Sequence, residues 1–233
     1  MLQPVNERER VTFAAASRLV HLLPTRAILR PKLKRTMDLF FSAVFLFMLL
    51  PILLLISLVV WSDGGPILFR HRRVGQHGRE FGCLKFRTMC VDSDRALRRV
   101  LDSDPVAALE WEMTRKLRND PRVTRAGRVL RTTSLDELPQ LLNILLGEMS
   151  LVGPRPVIRE ELDNYYTPAG IADTYLAVRP GLTGLWQIGG RNDIGYDERM
   201  ALDAFYVRNP SLRTDFGILA RTAGVVLRRH GSY

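Results

Sequence analysis

The sequence predicts an α/β protein, mostly helical with a small β-hairpin, on a re-entrant helix-break-helix of the kind found in monotopic membrane proteins. An uncharged apolar run extends from Leu39 to Trp61 and contains Pro51. Two strand-like segments, 67–74 and 80–89, flank the turn residues 75–78, which is the pattern of a hairpin. Helical periodicity marks four later stretches: 92–118, 135–149, 158–166 and 213–229.

The apolar run is long enough for either of two membrane topologies. As one helix it would measure about 34 Å, which exceeds a hydrocarbon core of about 30 Å. Pro51 lies near its middle, where proline removes a backbone hydrogen bond and bends a helix. Basic residues flank both ends, and positive flanks tend to stay in the cytoplasm. A re-entrant hairpin keeps both flanks on one side and is preferred; the alternative is a kinked spanning helix.

Three parts are predicted along the chain. Residues 1–35 form a basic segment suited to lying at a membrane interface, residues 36–62 form the membrane hairpin, and residues 63–233 form one catalytic domain. Within that domain, the Gly-rich stretch 179–195 has no clean period and reads as a long shaped loop, a feature that is often functional.

The charge balance favours anionic partners. Lys and Arg number 34 against 24 Asp and Glu, so the formal net charge is +10. Such a charge suits nucleic acid, a lipid surface or phosphorylated substrates, without choosing between them. The two cysteines, Cys83 and Cys90, are too few for a disulfide framework, and no CxxC pair or histidine cluster indicates zinc.

The strongest candidates for chemistry are the adjacent carboxylates Asp136 and Glu137. A purely structural interpretation exists, because Ser134 and Glu137 match the S-x-x-E capping box and acids stabilise the first turn of a helix. Cations favour a catalytic interpretation: Arg131 precedes the pair, Arg155 lies between two prolines, and the predicted second strand carries Lys85 and Arg87.

An acidic pair among cations beside a membrane segment suits metal-assisted phosphoryl transfer. Arg, Lys and Mg²⁺ neutralise the transferred phosphate, and a carboxylate can serve as the nucleophile. Mg²⁺ takes one or two carboxylates together with substrate phosphates, which Asp136 and Glu137 could supply. The sequence has no Walker-type phosphate loop, no GxSxG and no HExxH, so the chemistries that use them lack support.

The sequence resembles the bacterial sugar transferases, the monotopic phosphoglycosyl transferases, over about residues 32–233. The resemblance rests on the following stretches, in the family's order: KRTMD (34–38), KFRTM (85–89), DPRVT (120–124), RTTSLDELPQLLNILLGEMSLVGPRP (131–156), RPGLTGLWQIGGRN (179–192) and LDAFYVRNPSLRTDFGILARTAGVVLRR (202–229). The stretch GLTGLWQIGGRND and the terminal VVLRRHGSY are most similar to undecaprenyl-phosphate galactose-1-phosphate transferases.

The resemblance implies a membrane helix broken at Pro51 and a small α/β domain resting on the cytoplasmic face of the bacterial inner membrane. It implies that Asp136 is the nucleophile and that Glu137 assists with metal or substrate. The resemblance links Lys85, Arg131 and Arg155 to phosphate binding. Arg87, Arg191 and Asn192 lie in the same motifs and are predicted to bind phosphate or substrate with them.

The function predicted is transfer of a sugar-1-phosphate, galactose-1-phosphate first, from a UDP-sugar to undecaprenyl phosphate with Mg²⁺. The reaction would pass through an aspartyl-phosphosugar, release UMP and begin the assembly of a polysaccharide. The predicted partners are these two substrates and membrane lipids, not nucleic acid, and a homodimer is left open. One alternative is the same reaction with glucose-1-phosphate or another sugar. The other is a non-catalytic membrane-anchored binder of anions, which leaves the acidic pair unexplained.

Overall fold

The computed structural model of the protein describes residues 31–114, 117–189 and 195–228. Its helices are α1 (Pro31–Trp61), α2 (Ser93–Ser103), α3 (Pro105–Thr114), α4 (Arg125–Thr133), α5 (Gln140–Leu146), α6 (Arg159–Glu161), α7 (Ala172–Leu176), α8 (Leu185–Gly189), α9 (Tyr196–Arg208) and α10 (Leu212–Arg228). Its strands are β1 (Leu68–Val74), β2 (Glu80–Phe86), β3 (Ser150–Val152) and β4 (Gly181–Thr183). The mostly helical fold with a small sheet is confirmed.

The predicted hairpin is formed by β1 and β2, which pair antiparallel with Leu68 opposite Phe86. Asn143 on α5 holds the outer edge of β2: its side chain accepts a hydrogen bond from Leu84 N–H at 2.9 Å and donates one to the Gly82 carbonyl at 2.9 Å. A hydrophobic core lies behind the hairpin and includes Phe81, Cys83, Leu141, Ile144, Met149, Trp186 and Ile218. The hairpin is therefore fixed to α5, the helix that follows the acidic pair.

A short parallel pair, β3 with β4, was not predicted. Its strands approach so closely that a Cβ on Gly181 would collide with the backbone nitrogen of Gly153. The prediction of an irregular loop over 179–195 is wrong for the residues that form β4 and α8. A three-residue strand has too few positions to show a period, and β4 exists because β3 supplies its hydrogen bonds.

The apolar run lies in α1, one helix of 31 residues with Pro51 inside it. By length and composition α1 could cross a membrane. Only a narrow stripe of it is buried, formed by Asp38, Ser42, Ile56 and Val60. Its other apolar side chains are exposed, including Phe47 at 81% and Met48 at 68%. A continuous exposed apolar surface of this kind is typical of a site that contacts a membrane or another protein, and it is consistent with membrane anchoring.

Polar contacts attach the N-terminal part of α1 to the domain. Lys34 forms an ion pair with Asp215 of α10 at 2.8 Å. The carboxylate of Asp38 accepts a hydrogen bond from the Ser150 hydroxyl at 2.8 Å. Arg35 donates to the carbonyls of Ile144 and Leu145 at the end of α5, at 2.7 and 3.2 Å.

The C-terminal part of α1 is attached to α4 and to the end of β2. Ile56 and Val60 belong to a buried cluster with Phe86 and Leu130. Arg87, directly after β2, donates to the Val60 carbonyl at 2.9 Å and forms an ion pair with Asp63, just beyond α1. Both ends of α1 therefore pack on the same domain.

The guanidinium of Arg87 is fully engaged in this attachment. Besides Asp63 and the Val60 carbonyl, it donates to the carbonyls of Pro66 at 2.6 Å and Met89 at 3.2 Å. Its side chain is only 9% exposed. We therefore expect Arg87→Lys to lower the free energy of unfolding by about 2 kcal/mol, because one ammonium cannot satisfy acceptors in so many directions. Chemical denaturation measures this loss. Unchanged stability combined with weakened substrate binding would instead make Arg87 a substrate ligand.

Candidate active site

The acidic pair lies in a tight turn between two helices. Ser134 ends α4 in the left-handed conformation, with φ 57°, and a 3-10 turn, Leu135–Glu137, follows. Among the described residues, the Ser134 side chain makes no capping hydrogen bond, so the capping-box interpretation is not supported. The predicted helix over 135–149 is wrong at its start, because Pro139 cannot donate a backbone hydrogen bond and α5 begins after it. A non-glycine residue at positive φ is strained, and strain of this kind clusters at functional sites.

The two carboxylates have different surroundings. Glu137 is paired through Oε1 with Lys85 Nζ at 2.6 Å. Asp136 is buried, with 9% of its surface exposed. Burial raises the pKa of Asp136 to about 6, and repulsion from Glu137 adds to the rise while Lys85 and Arg131 oppose it. Asp136 is therefore mostly ionised at neutral pH but poorly hydrated, a state that suits a nucleophile.

Two cations are positioned beside the pair by different elements. Burial by itself lowers the pKa of Lys85, but attraction to Glu137 and Asp136 outweighs it, so the pKa is raised and the ammonium keeps its charge. Arg131, in the last turn of α4, donates through Nε to the buried Thr88 hydroxyl at 2.9 Å, which ties it to the chain just beyond β2. The structure therefore brings together Asp136, Glu137, Lys85 and Arg131, as the sequence predicts.

Arg155 lies at the end of β3, where the paired β4 supports its loop: Gly181 N–H bonds to the Pro154 carbonyl at 2.8 Å. Its guanidinium stacks over the Trp186 ring at 4.7 Å, and Arg199 lies over the same ring at 5.2 Å. Among the described contacts, Arg155 forms no ion pair with either carboxylate of the dyad. Together with Arg199 it forms a second cationic group, on the ring of Trp186.

Several titratable residues near the site were not identified by the sequence analysis. His71 and Arg73 lie on the face of β1 that carries Lys85 on β2, and the pKa of His71 is lowered by burial, by Arg73 and by Lys85. The alternation of a hairpin, applied to Lys85, would have pointed to them. Asp203 of α9 is fully buried near Arg155 and Arg199. No local pattern marked Asp203, because its hydrogen-bond partner Tyr166 and the cation Arg155 are distant in sequence.

Of the other predicted residues, Arg87 has the attachment role described above. Arg191 and Asn192 lie outside the described residues, as does the basic segment 1–30. Their assignments stay predictions.

The dyad suits Mg²⁺ only with help from a substrate. Carboxylate oxygens are ligands that Mg²⁺ prefers, and it accepts one or two of them with substrate phosphates. Within the described ranges, no group of three or more His, Cys, Asp or Glu side chains could hold a metal ion. Asp136 and Glu137 together therefore suit a metal ion whose remaining coordination positions would be filled by the phosphates of a substrate.

Replacing Arg155 should slow turnover. Arg155→Ala is expected to cost more than about tenfold, since one charge-assisted phosphate contact is lost. Arg155→Lys should recover only part of the rate, because an ammonium reproduces neither the fork of donors nor the flat stacking on Trp186. Arg208→Ala, at an exposed arginine of α9, is the matched control. Steady-state rates that match wild type in both Arg155 variants would remove this residue from the site.

Fold and site define a phosphate-handling domain on one apolar helix, with a buried carboxylate among cations. The chain belongs to the bacterial sugar transferase family, whose model matches residues 29–229. It is 53% identical over 201 residues to the UDP-galactose-lipid carrier transferase of Erwinia amylovora and 50% identical to the undecaprenyl-phosphate galactose phosphotransferase of Salmonella typhimurium. Each match covers 86% of this chain but only 42% of the relative.

A relative of similar length is the exopolysaccharide production protein ExoY of Sinorhizobium fredii. It is 53% identical over 201 residues, which make up 86% of this chain and 88% of that protein. The predicted family, and its similarity to galactose-1-phosphate transferases, are confirmed.

Proposed function

We propose that this protein transfers galactose-1-phosphate from a UDP-sugar to the phosphate of undecaprenyl phosphate. The observation that carries the proposal is the buried carboxylate of Asp136, held between Lys85, Arg131 and Glu137. A carboxylate with this pKa and these neighbours suits attack on a phosphate whose charge the cations neutralise. The names of the 50–53% identical relatives support the donor, the sugar and the lipid acceptor.

The reaction has two half-reactions. An oxygen of Asp136 attacks the β-phosphorus of the UDP-sugar, the bond from that phosphorus to the bridging oxygen breaks, and UMP leaves. The sugar phosphate is then linked to Asp136. A phosphate oxygen of the lipid acceptor next attacks the same phosphorus, the bond to Asp136 breaks, and undecaprenyl-diphosphate sugar leaves.

Residues around Asp136 bind the substrate phosphates and offset their charge in both half-reactions. Lys85 and Arg131 draw the diphosphate toward the carboxylate and offset its charge. Glu137 orients the Lys85 ammonium through the 2.6 Å pair. Mg²⁺, held by Glu137 and Asp136 together with substrate phosphates, would supply further charge neutralisation when bound.

The reaction is tested by UMP release. The purified protein is mixed with undecaprenyl phosphate, Mg²⁺ and one of several UDP-sugars, with UDP-galactose and UDP-glucose as the decisive pair. We expect release with UDP-galactose to exceed release with UDP-glucose. The reverse order would change the sugar but keep the reaction. If no UDP-sugar gave UMP release, the result would favour the alternative of a non-catalytic anion-binding protein.

The attachment of α1 supports a re-entrant topology at the cytoplasmic face of the inner membrane. Ser42 and Ile56 are both buried against the domain. The helix axis between them measures about 21 Å, less than a hydrocarbon core of about 30 Å. A straight span would have to detach one end from the domain, whereas a bend near Pro51 lets both ends stay attached. Leu135, the residue before Asp136, packs against the cluster of Ile56 and Val60. This packing supports the proposal that the dyad lies close enough to the membrane to reach a lipid phosphate.

Cysteine labelling tests the topology. In a chain with Cys83 and Cys90 replaced, Lys32→Cys and Arg79→Cys should be equally protected from an impermeant thiol reagent in intact cells. Labelling of one position alone would mean a spanning helix. Pro51→Leu should make one of the two cysteines accessible to the reagent in a fraction of the molecules, because an unbroken apolar helix is long enough to cross the membrane. Ile52→Leu is the matched control, as it keeps the proline and the apolar surface.

A further inference from the structure

The edge of β1 that does not pair with β2 lies beside a charged cleft of about 300 Å³. Val74 N–H bonds to the Val157 carbonyl at 2.8 Å, and the Tyr175 hydroxyl donates to the Val74 carbonyl at 2.8 Å. The backbone groups of Val74 therefore point away from β2. Since these directions alternate along an antiparallel pair, the N–H and C=O of Arg72 face the same edge. Residues 158–160 form the opposite wall.

The cleft contains groups that bind sugars and phosphates. Its volume lies at the small end of the range for small-molecule sites. Arg73, Arg159, Glu80 and Glu160 line it, with Val74 and Ile158 as its apolar members. Arg159 is held by Glu80 at 3.5 Å and by the Gly78 carbonyl at 3.2 Å. The guanidiniums suit phosphate, and the carboxylates suit ribose hydroxyls.

A row of side chains connects the cleft with the dyad. Lys85 stands opposite Phe69, and His71 and Arg73 follow Phe69 on the same face of the hairpin. Neighbours on one face of a strand are about 7 Å apart, so the row extends about 14 Å from Lys85 to the cleft. Its first member contacts Glu137, and its last lines the cleft.

His71 in the middle of this row is a neutral donor. Arg73 lies 3.1 Å from His71 Nδ1, and a guanidinium can only donate, so Nδ1 accepts. The ring proton is therefore on Nε2. Burial lowers the pKa of His71, and Arg73 and Lys85 lower it further, which keeps the ring neutral at pH 7.

We propose that this cleft binds the nucleoside of the donor, and that the diphosphate leads from it past Arg73 and His71 toward Lys85. The inference rests on the proposed function and names where its nucleotide is held. The backbone N–H and C=O of Arg72 pair with the edge of the base, which carries an adjacent donor and acceptors. Glu160 accepts a hydrogen bond from a ribose hydroxyl, and His71 Nε2–H donates to a phosphate oxygen.

Calorimetric titration of the full chain with UDP, 2′,3′-dideoxy-UDP and inorganic pyrophosphate tests the proposal. Ile158→Trp, which fills the cleft, should weaken UDP more than tenfold and pyrophosphate less than twofold. Glu160→Gln should weaken UDP about fivefold and leave dideoxy-UDP unchanged, because the hydroxyl that Glu160 binds is missing from that ligand. Glu112→Gln, on the exposed side of α3, is the matched control. His71→Leu should weaken UDP and pyrophosphate alike, and His71→Gln, which keeps an N–H donor, should recover part of both.

The outcomes separate the two proposals. If wild type releases UMP and binds UDP, yet Ile158→Trp and Glu160→Gln bind UDP equally well, the cleft is not the nucleoside site and the proposed function stands. If wild type neither releases UMP nor binds UDP, the proposed function fails and this inference with it. Should Ile158→Trp not fold, Glu160→Gln and photo-crosslinking with 5-azido-UDP decide. Label within 70–80 or 157–161 supports the cleft, and label within 185–208 overturns it.

Discussion

Asp136→Asn is expected to abolish turnover, with a loss of about 1,000-fold or more and no loss of folding. Asparagine keeps the shape of the side chain but has no nucleophilic carboxylate. Wild type, mixed with UDP-galactose and Mg²⁺ without lipid acceptor, should gain the mass of one hexose phosphate. Asp136→Asn should gain none. Intact-protein mass spectrometry measures the adduct, and circular dichroism checks the fold.

The neighbouring carboxylate provides an internal comparison. Glu137→Gln should lose much of the rate through weaker orientation of Lys85 and weaker metal binding, yet form a trace of adduct. Asp163→Asn, at an exposed acid, should behave like wild type. An adduct that persists in Asp136→Asn, or maps to another residue, would end the proposal of an aspartyl intermediate. Equal and modest losses for Asp136 and Glu137 would favour a structural role for the pair.

Lys85→Met is expected to reduce turnover at pH 7 by more than about 100-fold. The ammonium neutralises Glu137 and lowers the pKa of Asp136, and it offsets the charge of the transferred phosphate. The nucleophile must be ionised, so the wild-type rate should rise with pH through about pH 6 and then level off. Without Lys85 the pKa of Asp136 is higher, and this acid limb should move to higher pH.

The pH profile distinguishes this role from a loss of packing. Lys85→Arg keeps the charge and should keep the acid limb near its wild-type position while losing part of the rate. Lys32→Met removes a lysine from the exposed beginning of α1 and serves as the charge control. An acid limb that does not move in Lys85→Met would show that Asp136 is not the group that titrates.

Local patterns predicted most of the elements. Strand-like segments around 75–78 predicted the hairpin, and the helical stretch predicted over 92–118 contains α2 and α3, which are separated at Asp104, just before Pro105. The patterns failed where long-range pairing decides the structure: β4 exists only beside β3, and Pro139 confines the first turn after Ser134 to a 3-10 turn.

The acidic pair was identifiable in the sequence because its chemistry is adjacent along the chain. The sequence also predicted that Lys85 and Arg131 accompany the pair, but the direct contact of Lys85 with Glu137, across 52 residues, is seen only in the structure. The same limit applies to Arg87, whose contact with the Val60 carbonyl in the last turn of α1 is visible only in the structure. Its role as a substrate ligand stays a prediction. The row through His71 and Arg73 depends on which residues of β1 and β2 lie opposite each other. The sequence predicts these two residues only once Lys85 is known to belong to the site.

The amino-acid sequence alone identifies the apolar segment, the basic charge, the dyad and the family, because these depend on composition and on neighbours along the chain. Folding determines the buried state of Asp136, its pKa, and the attachment of both ends of α1 to one domain. The attachment of α1 arises from contacts between residues more than 25 positions apart, such as Lys34 with Asp215 and Arg87 with Val60. The pKa of Asp136 depends on burial and on Lys85 as well as on its neighbour Glu137. Burial and electrostatic attraction depend on distance in space, which the order of residues does not specify.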